Sequence, residues 1–426
     1  MIKRVSFLSV VLAVFCSASF VSAGSWRVLM YSDSSDNLTD MIMKNITDMM
    51  RGKPNDSVEF FLQLHAYYNV GLRYKITDKG LQFIEEVALS DDSCQDFVDA
   101  ATWGFAGHTA DHTMLIFSNH GWGIMDPQWD EHDQAYYIDG DACAVSCPVN
   151  KHAMIGNHVQ HRGFMFNHTT KEYLTNQDLV AGFEIATQDC LGGKSLDVLA
   201  FDTCMGGMIE IAYQLAPFAR YMVGCQSCSL KDGFDYQALA AVLNSAHNTP
   251  RTVAAGIVNG CDAYYDEHDD SGQYTYSAFD LIYVYEVCTA MNTLIDYMRQ
   301  LPNCQEVFNA TRVLTPRFCI WPIYTDVIEF FDIFVQQLAL SGQTDQLFTV
   351  IDALQGLKQA HDKMIITCCG GYKTAGVANG SAMYCPFNCV DGMYQTTLFA
   401  QACGWSDLLY AMQDPQQEAI KWACGM

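Results

Sequence analysis

Short apolar runs separated by helix-like patterns constrain this chain more than any other feature. Runs at 26–31, 58–64, 113–117, 196–201 and 220–224 have the length and apolar content of buried strands. Between them lie amphipathic patterns at 38–50, 94–103, 174–187, 205–216 and 236–245. In the first, Met41, Ile42, Ile46 and Met49 recur at helical spacing, and Asp36 or Asn37 is placed to cap it. The segment 72–76 is expected to pair with 58–64 as a hairpin. Strands alternating with helices predict an α/β fold with a mainly parallel sheet between helical layers. In such sheets functional groups gather beyond the carboxyl ends of the strands.

Two reactive residue types fall at such ends. The run 113–117 leads into Ser118, Asn119, His120 and Gly121, and the run 196–201 leads into Asp202, Thr203, Cys204, Met205, Gly206 and Gly207. Cysteine–histidine catalysis requires a thiol nucleophile, an imidazole to move its proton, and donors for the developing oxyanion. His120 and Cys204 are the candidates, with the amides of Gly121 and Cys204 as the oxyanion donors. Gly121 lets the backbone approach a substrate without a Cβ in the way. A cysteine between a strand end and a helix start is also expected to favour the thiolate. Asp202, two residues earlier, shares a side of the strand with the nucleophile by period-two alternation. A carboxylate there suits a pocket for Arg or Lys. Taken alone, Cys204 reads more readily as a structural half-cystine, since the chain has 18 cysteines.

Residues 1–23 read as a secretory signal: Lys3 and Arg4, an apolar core over 5–15, then Val21-Ser22-Ala23 before the cut. The expected location is therefore outside the cell, or the lumen of an endolysosomal or periplasmic compartment. Removing the signal takes Cys16 and leaves an odd 17 cysteines in an oxidising setting. If Cys204 is the unpaired thiol, 16 remain for eight disulfides, and Cys143/Cys147, Cys225/Cys228, Cys368/Cys369 and Cys385/Cys389 look like bridge-forming material. Asn-x-Ser/Thr sites at Asn37, Asn45, Asn55, Asn167, Asn309 and Asn379 imply surface glycosylation in a eukaryotic setting. The formal net charge of −25 argues against nucleic acid and anionic membrane as partners, and the mature chain has no apolar run of membrane-spanning length.

The expected organisation is a catalytic domain over 24–248, with a polar, aromatic insertion at 124–176, followed by a helical region over 249–426 with a cysteine-rich tail. Helices are expected at 252–261, 279–301, 327–340 and 349–363, with an acidic loop at 264–270.

The chain resembles clostripain-like cysteine peptidases of the caspase–legumain–gingipain clan. The match begins at Trp26-Arg-Val-Leu-Met-Tyr31 and Asp36-Asn-Leu38, and continues through Leu115-Ile-Phe-Ser-Asn-His-Gly121. It includes Phe201-Asp-Thr-Cys-Met-Gly206, Glu210-Ile-Ala-Tyr213, Gly233-Phe-Asp-Tyr236, Tyr276-Ser-Ala-Phe-Asp280 and Tyr324-Thr-Asp-Val-Ile-Glu-Phe-Phe331. The resemblance implies a caspase-like α/β/α sandwich, carrying here a helical, disulfide-rich C-terminal extension. It also implies a His120–Cys204 dyad, an acidic S1 residue at Asp202, and endopeptidase cleavage after Arg, with Lys as the alternative. In the clan the strand after the catalytic helix helps to form the S1 rim, which points to Cys225 and Gln226 as substrate-binding residues. A Cys225–Cys228 disulfide would narrow that rim. Members are often matured by a self-cut between the histidine and cysteine strands, for which Lys151 and Arg162 are the candidates. The partners implied are polypeptides with a basic P1 residue, met by a monomer. The Met205-Gly206-Gly207 run departs from the family's usual Asp-Ala-Cys-Leu-Met.

Two other readings compete. His108 and His112 at helical spacing suggest a zinc hydrolase, although the Glu that follows the first His in metalloproteases is missing. An inactive, disulfide-rich binding protein of the same fold is the non-enzyme reading. No cofactor is required. Asp126, Asp130, Asp133, Asp139 and Asp141 are candidates for calcium, as some relatives use it, but they lack EF-hand spacing.

Overall fold

The computed structural model describes residues 24–34, 38–66, 69–125, 128–130, 135–137, 163–167, 172–269, 271–318, 323–342, 346–387 and 390–413. The strands are β1 (Trp26–Asp33), β2 (Val58–Ala66), β3 (Val70–Thr77), β4 (Gly80–Ala88), β5 (His112–Ser118), β6 (Gln128–Asp130), β7 (Ala135–Tyr137), β8 (Leu196–Asp202), β9 (Ala219–Gly224), β10 (Thr275–Asp280), β11 (Tyr324–Asp326), β12 (Ile365–Gly370) and β13 (Ala382–Tyr384). The helices are α1 (Thr39–Arg51), α2 (Ser93–Phe105), α3 (Asn176–Cys190), α4 (Ile209–Leu215), α5 (Tyr236–Leu243), α6 (Pro250–His268), α7 (Val284–Arg299), α8 (Cys304–Leu314), α9 (Val327–Leu340), α10 (Leu347–Met364), α11 (Leu398–Ala402) and α12 (Trp405–Ala411).

Nine strands form one sheet in the order β12-β10-β9-β8-β5-β1-β2-β3-β4. The central strands β2, β1, β5, β8 and β9 are parallel, as the alternation of strands and helices requires. Antiparallel pairs finish both edges, β3 and β4 on one side and β10 and β12 on the other. β1, β5 and β8 send apolar side chains to both faces. Leu29, Tyr31, Leu115, Phe117, Leu199 and Phe201 enter one core, with side chains from α2, α3, α4 and the C-terminal helices. Val28, Met30, Met114, Ile116, Val198 and Ala200 enter the other, against α1, α5 and α6. The result is a three-layer α/β/α arrangement.

The C-terminal half is not appended to this sheet. β10 and β12 extend it past residue 248, so the expected boundary there does not divide it. β10 replaces the start of the helix expected from 279, because its residues are buried and pair with β9 on one side and β12 on the other. The acidic stretch at 264–268 is the end of α6 and not a loop. The expectation of a disulfide-rich tail is also corrected. Cys368, Cys369, Cys385 and Cys403 are free thiols, and eleven described cysteines are free in all. The pairing arithmetic that singled out Cys204 therefore does not hold among the described residues.

Of the glycosylation sites, Asn55 and Asn309 are exposed, whereas Asn45 and Asn167 are buried, contrary to a surface position. The Asn379 amide donates to Asp326 Oδ1 at 3.0 Å. Asn37 lies outside the described residues, as does the expected cap Asp36. No described helix is long and apolar enough to cross a membrane.

Candidate active site

Strand register brings the two predicted residues to one edge. Ser118 pairs with Asp202 at the last rung between β5 and β8, so His120 and Cys204 each lie two residues beyond it on neighbouring parallel strands. The loops they start are in direct contact. A Cβ built on Gly121 would stand 2.3 Å from the Cys204 carbonyl oxygen and 2.7 Å from Thr203 Oγ1. Only glycine lets the histidine loop lie this close to the cysteine turn.

The histidine loop is fixed from several directions. Asn119 donates to the Asp33 carbonyl at 2.8 Å and accepts from the Phe166 N–H at 3.0 Å. Met165 N–H donates to the His120 carbonyl at 3.3 Å, and Trp122 N–H to the Gly163 carbonyl at 2.8 Å. Farther along, Asn176, at the start of α3, donates to the carbonyls of Gly123 and Ile124. Gln214 of α4 donates to Asn176 Oδ1 at 2.9 Å. Thus α4, which follows the cysteine, also holds the loop that follows the histidine.

The cysteine turn is longer than expected. The helix begins at Ile209 and not at 205, and the intervening residues are pinned to the end of β9. Met205 N–H donates to the Ser227 carbonyl at 3.0 Å and Gly207 N–H to the Cys225 carbonyl at 2.7 Å. Met205 takes φ 57°, the left-handed region that side chains rarely adopt, at the position next to the nucleophile candidate. Gly206 and Gly207 have a packing reason. A Cβ on Gly206 would meet Phe201 Cβ at 2.4 Å, and one on Gly207 would meet the Cys225 backbone at 2.9 Å.

Cys204 is half-buried. Burial pushes its thiol up to about 11, opposed by the Ser229 backbone N–H and reinforced by the Asp202 carboxylate. The expected lowering by a helix N-terminus is absent because α4 begins five residues later.

Asp202 is only 3% exposed. Its Oδ1 accepts from the Phe234 N–H at 3.1 Å and its Oδ2 from the Tyr236 hydroxyl at 2.8 Å. Burial raises its carboxyl to about 7, against the pull of those two donors and of Lys44. The period-two argument placed it on the nucleophile's side of the strand, and in the structure its carboxyl meets the start of α5. What sequence reasoning missed is that Tyr236, at the start of that helix, occupies it. The Gly233-Phe-Asp-Tyr236 stretch stood out only as a landmark without a role.

The expected rim residues are enclosed in this structure. Cys225 and Gln226 are both 0% exposed. Cys225 donates its thiol proton to the Thr203 carbonyl at 3.2 Å. Gln226 donates to Asp326 Oδ2 at 2.8 Å and accepts from the Gly380 N–H at 3.0 Å. Both side chains brace the turn from behind and present nothing to a substrate. Cys225 is a free thiol, so the Cys225–Cys228 bridge is not formed, although Cys228 is itself disulfide-bonded.

Lys151 and Arg162 lie outside the described residues, as do Asp126, Asp133, Asp139 and Asp141, and Asp130 is described only as strand backbone. The zinc reading loses its premise, since His108 sits in a loop and His112 opens β5, so no helical face carries both. Among the described residues no group of three or more His, Cys, Asp or Glu is placed to hold a metal.

The family model of the clostripain family matches residues 152–397, more than half of the chain and spanning the cysteine turn, β9 and the tail strand. The chain belongs to the clostripain family of cysteine peptidases. Among solved structures it is similar to a secreted C11 cysteine protease from Bacteroides thetaiotaomicron in complex with an irreversible peptide inhibitor. That likeness has a TM-score of 0.64 and 14% identity, over 90% of this chain and 99% of the other. An inactive zymogen C11 protease from Parabacteroides distasonis aligns with a TM-score of 0.60 and 14% identity, over 89% of this chain and 98% of its own. At such identities these structures speak for the fold, which they share over nearly their whole length. No curated protein matches. The clostripain-family assignment agrees with the caspase-like α/β arrangement of the sheet.

Proposed function

We propose that this peptidase is an exported endopeptidase that cleaves after Arg, with Lys as the alternative, through a His120–Cys204 dyad. The observation that carries this reading is the register of β5 and β8, which sets both residues two positions past one rung with Gly121 packed on the Cys204 backbone. In the proposed reaction His120 takes the Cys204 Sγ proton as the sulfur attacks the scissile carbonyl carbon. The N–H groups of Gly121 and Cys204 receive the oxyanion. His120 then returns the proton to the leaving amine, and water hydrolyses the thioester by the same transfers in reverse order. Burial raises the free thiol to about 11, which supports a reading in which His120 acts as a general base during attack.

Asp202 supplies the preference for a basic P1 residue. Its carboxylate already accepts from Tyr236 and Phe234, so a guanidinium would share it with those donors. Self-cleavage at Lys151 or Arg162 would follow from the same specificity, with the monomer acting on its own insertion. Such a dyad needs no cofactor.

Cys204→Ala should abolish both hydrolysis of Arg-peptide substrates and any self-cut, read by fluorogenic assay and N-terminal sequencing. Asp202→Ala should retain turnover but lose at least about tenfold in the Arg-over-neutral P1 ratio of kcat/KM. Residual activity in Cys204→Ala, or Arg preference surviving in Asp202→Ala, would refute the corresponding assignment. Loss of activity on chelation would instead assign calcium a role.

A further inference from the structure

Glu210 is a carboxylic acid in the apolar core that the reaction above does not use. It lies in the first turn of α4, six residues after Cys204, and is 0% exposed. Its Oε1 accepts from the Tyr384 N–H at 2.8 Å and from the Tyr394 hydroxyl at 3.0 Å. Its Oε2 is buried and has no hydrogen-bond partner. Both donors belong to the C-terminal tail.

That tail strand also touches the cysteine turn. Met208 and Ala382 form a parallel bridge, and the Ala382 N–H donates to the Gly207 carbonyl at 2.9 Å. β13 thus meets 207–210 through this single bridge, with Glu210 accepting from the Tyr384 N–H farther along it. Trp405 locks the far side by donating to the Tyr384 carbonyl at 2.7 Å.

We propose that Glu210 is a positioning residue for the peptidase reaction: its carboxyl group clasps Ala382–Tyr384 against the turn that carries Cys204. The role rests on Cys204 being the nucleophile. The clasp works with an uncharged acid. Tyr384 and Tyr394 touch the group, and Cys403 faces it with Cys288 of α7 hydrogen-bonded behind. Asp391 donates its N–H to the Tyr384 hydroxyl. Among the described residues no cation enters the environment of Glu210, and burial raises its carboxyl to about 7. Ionisation strengthens Oε1 as an acceptor but leaves charge on the buried, undonated Oε2, and that cost destabilises the packing of the tail against the turn.

The test compares wild type with Glu210→Gln, which keeps the acceptor oxygen and cannot ionise. For Arg-peptide hydrolysis, the variant-to-wild-type ratio of kcat/KM should rise about tenfold between about pH 6 and about pH 8. Asp202 titrates in the same range in both proteins, so the ratio isolates Glu210. Amide exchange at Ala382 and Tyr384, corrected for its intrinsic pH dependence, should accelerate above about pH 7 in wild type and not in the variant. Where Glu210→Gln fails to fold, Tyr394→Phe removes a donor that favours the charged form, and the alkaline limb should move to higher pH. A ratio that stays flat, or a limb that stays put, overturns the role of Glu210 alone. Exchange as expected in a protein that hydrolyses nothing overturns the Cys204 reading, and the positioning role with it.

Discussion

At the scale of single residues, the chemistry of Cys204 is set by what surrounds it more than by what type it is. A thiol raised to about 11 by burial is a poor nucleophile until a base removes its proton. Alkylation of Cys204 by a small haloacetamide in the free enzyme should therefore keep rising through about pH 9. A plateau near neutrality would reveal a preformed thiolate–imidazolium pair and contradict this account. Asp202 shows the same rule in the opposite chemical type. A carboxyl in a site shared with Tyr236 is protonated for part of the physiological range, so under the proposed role of Asp202 affinity for a cationic P1 side chain should improve as pH rises through about 7.

At the scale of elements, the site is two loops pressed together at one sheet edge. The contact between the Gly121 Cα and the Cys204 carbonyl has no room for a methyl group, since a Cβ would lie at 2.3 Å from a backbone atom. Gly121→Ala must push the histidine loop away from the cysteine turn. The expected outcome is a loss of about 1–3 kcal/mol in stability by denaturant melt, with kcat reduced more than KM is raised. Wild-type kcat in this variant would show that the two loops are not held in the geometry the reaction uses. The C-terminal elements are part of the same edge, because β13 and Gln226–Gly380 close the back of the turn.

At the scale of the whole molecule, pH acts through buried acids. Asp202 and Glu210 are raised to about 7, and Asp96 and Asp326 are raised as well. Between the unfolded carboxyl values and 7 the folded chain holds protons that the unfolded chain has released, so stability falls as pH rises through that window. Asp202 and Glu210 account for about 3–4 kcal/mol each at the upper limit. His361, buried against Ser381 and lowered to about 4, works the other way, adding stability as pH rises from about 4 to about 6.5. The acids outweigh it. The midpoint of thermal unfolding should fall from about pH 5 to about pH 7.5 and then level, and Glu210→Gln should flatten the slope. A midpoint that rises across this range would contradict the assignment of these buried groups. The net charge of −25 adds self-repulsion in the same direction.

By itself the sequence determined the parallel core and the placement of His120 and Cys204, because strand ends and period-two alternation are local properties of β5 and β8. It also marked Asp202, whose side of the strand follows from the same alternation. Only the tertiary structure decided what each group meets. The antiparallel edge strands β10 and β12 are short and flanked by helix-like sequence, and only their neighbours make them strands. The family resemblance points to Cys225 and Gln226 as rim residues, yet the chain beyond β9 buries both side chains. The clasp of Glu210 by Tyr384 and Tyr394 joins positions 174 and 184 residues apart, a separation at which no local pattern survives. Local periodicity fixes which way a side chain leaves its element. Long-range packing fixes what it touches, how dry it is, and therefore its charge.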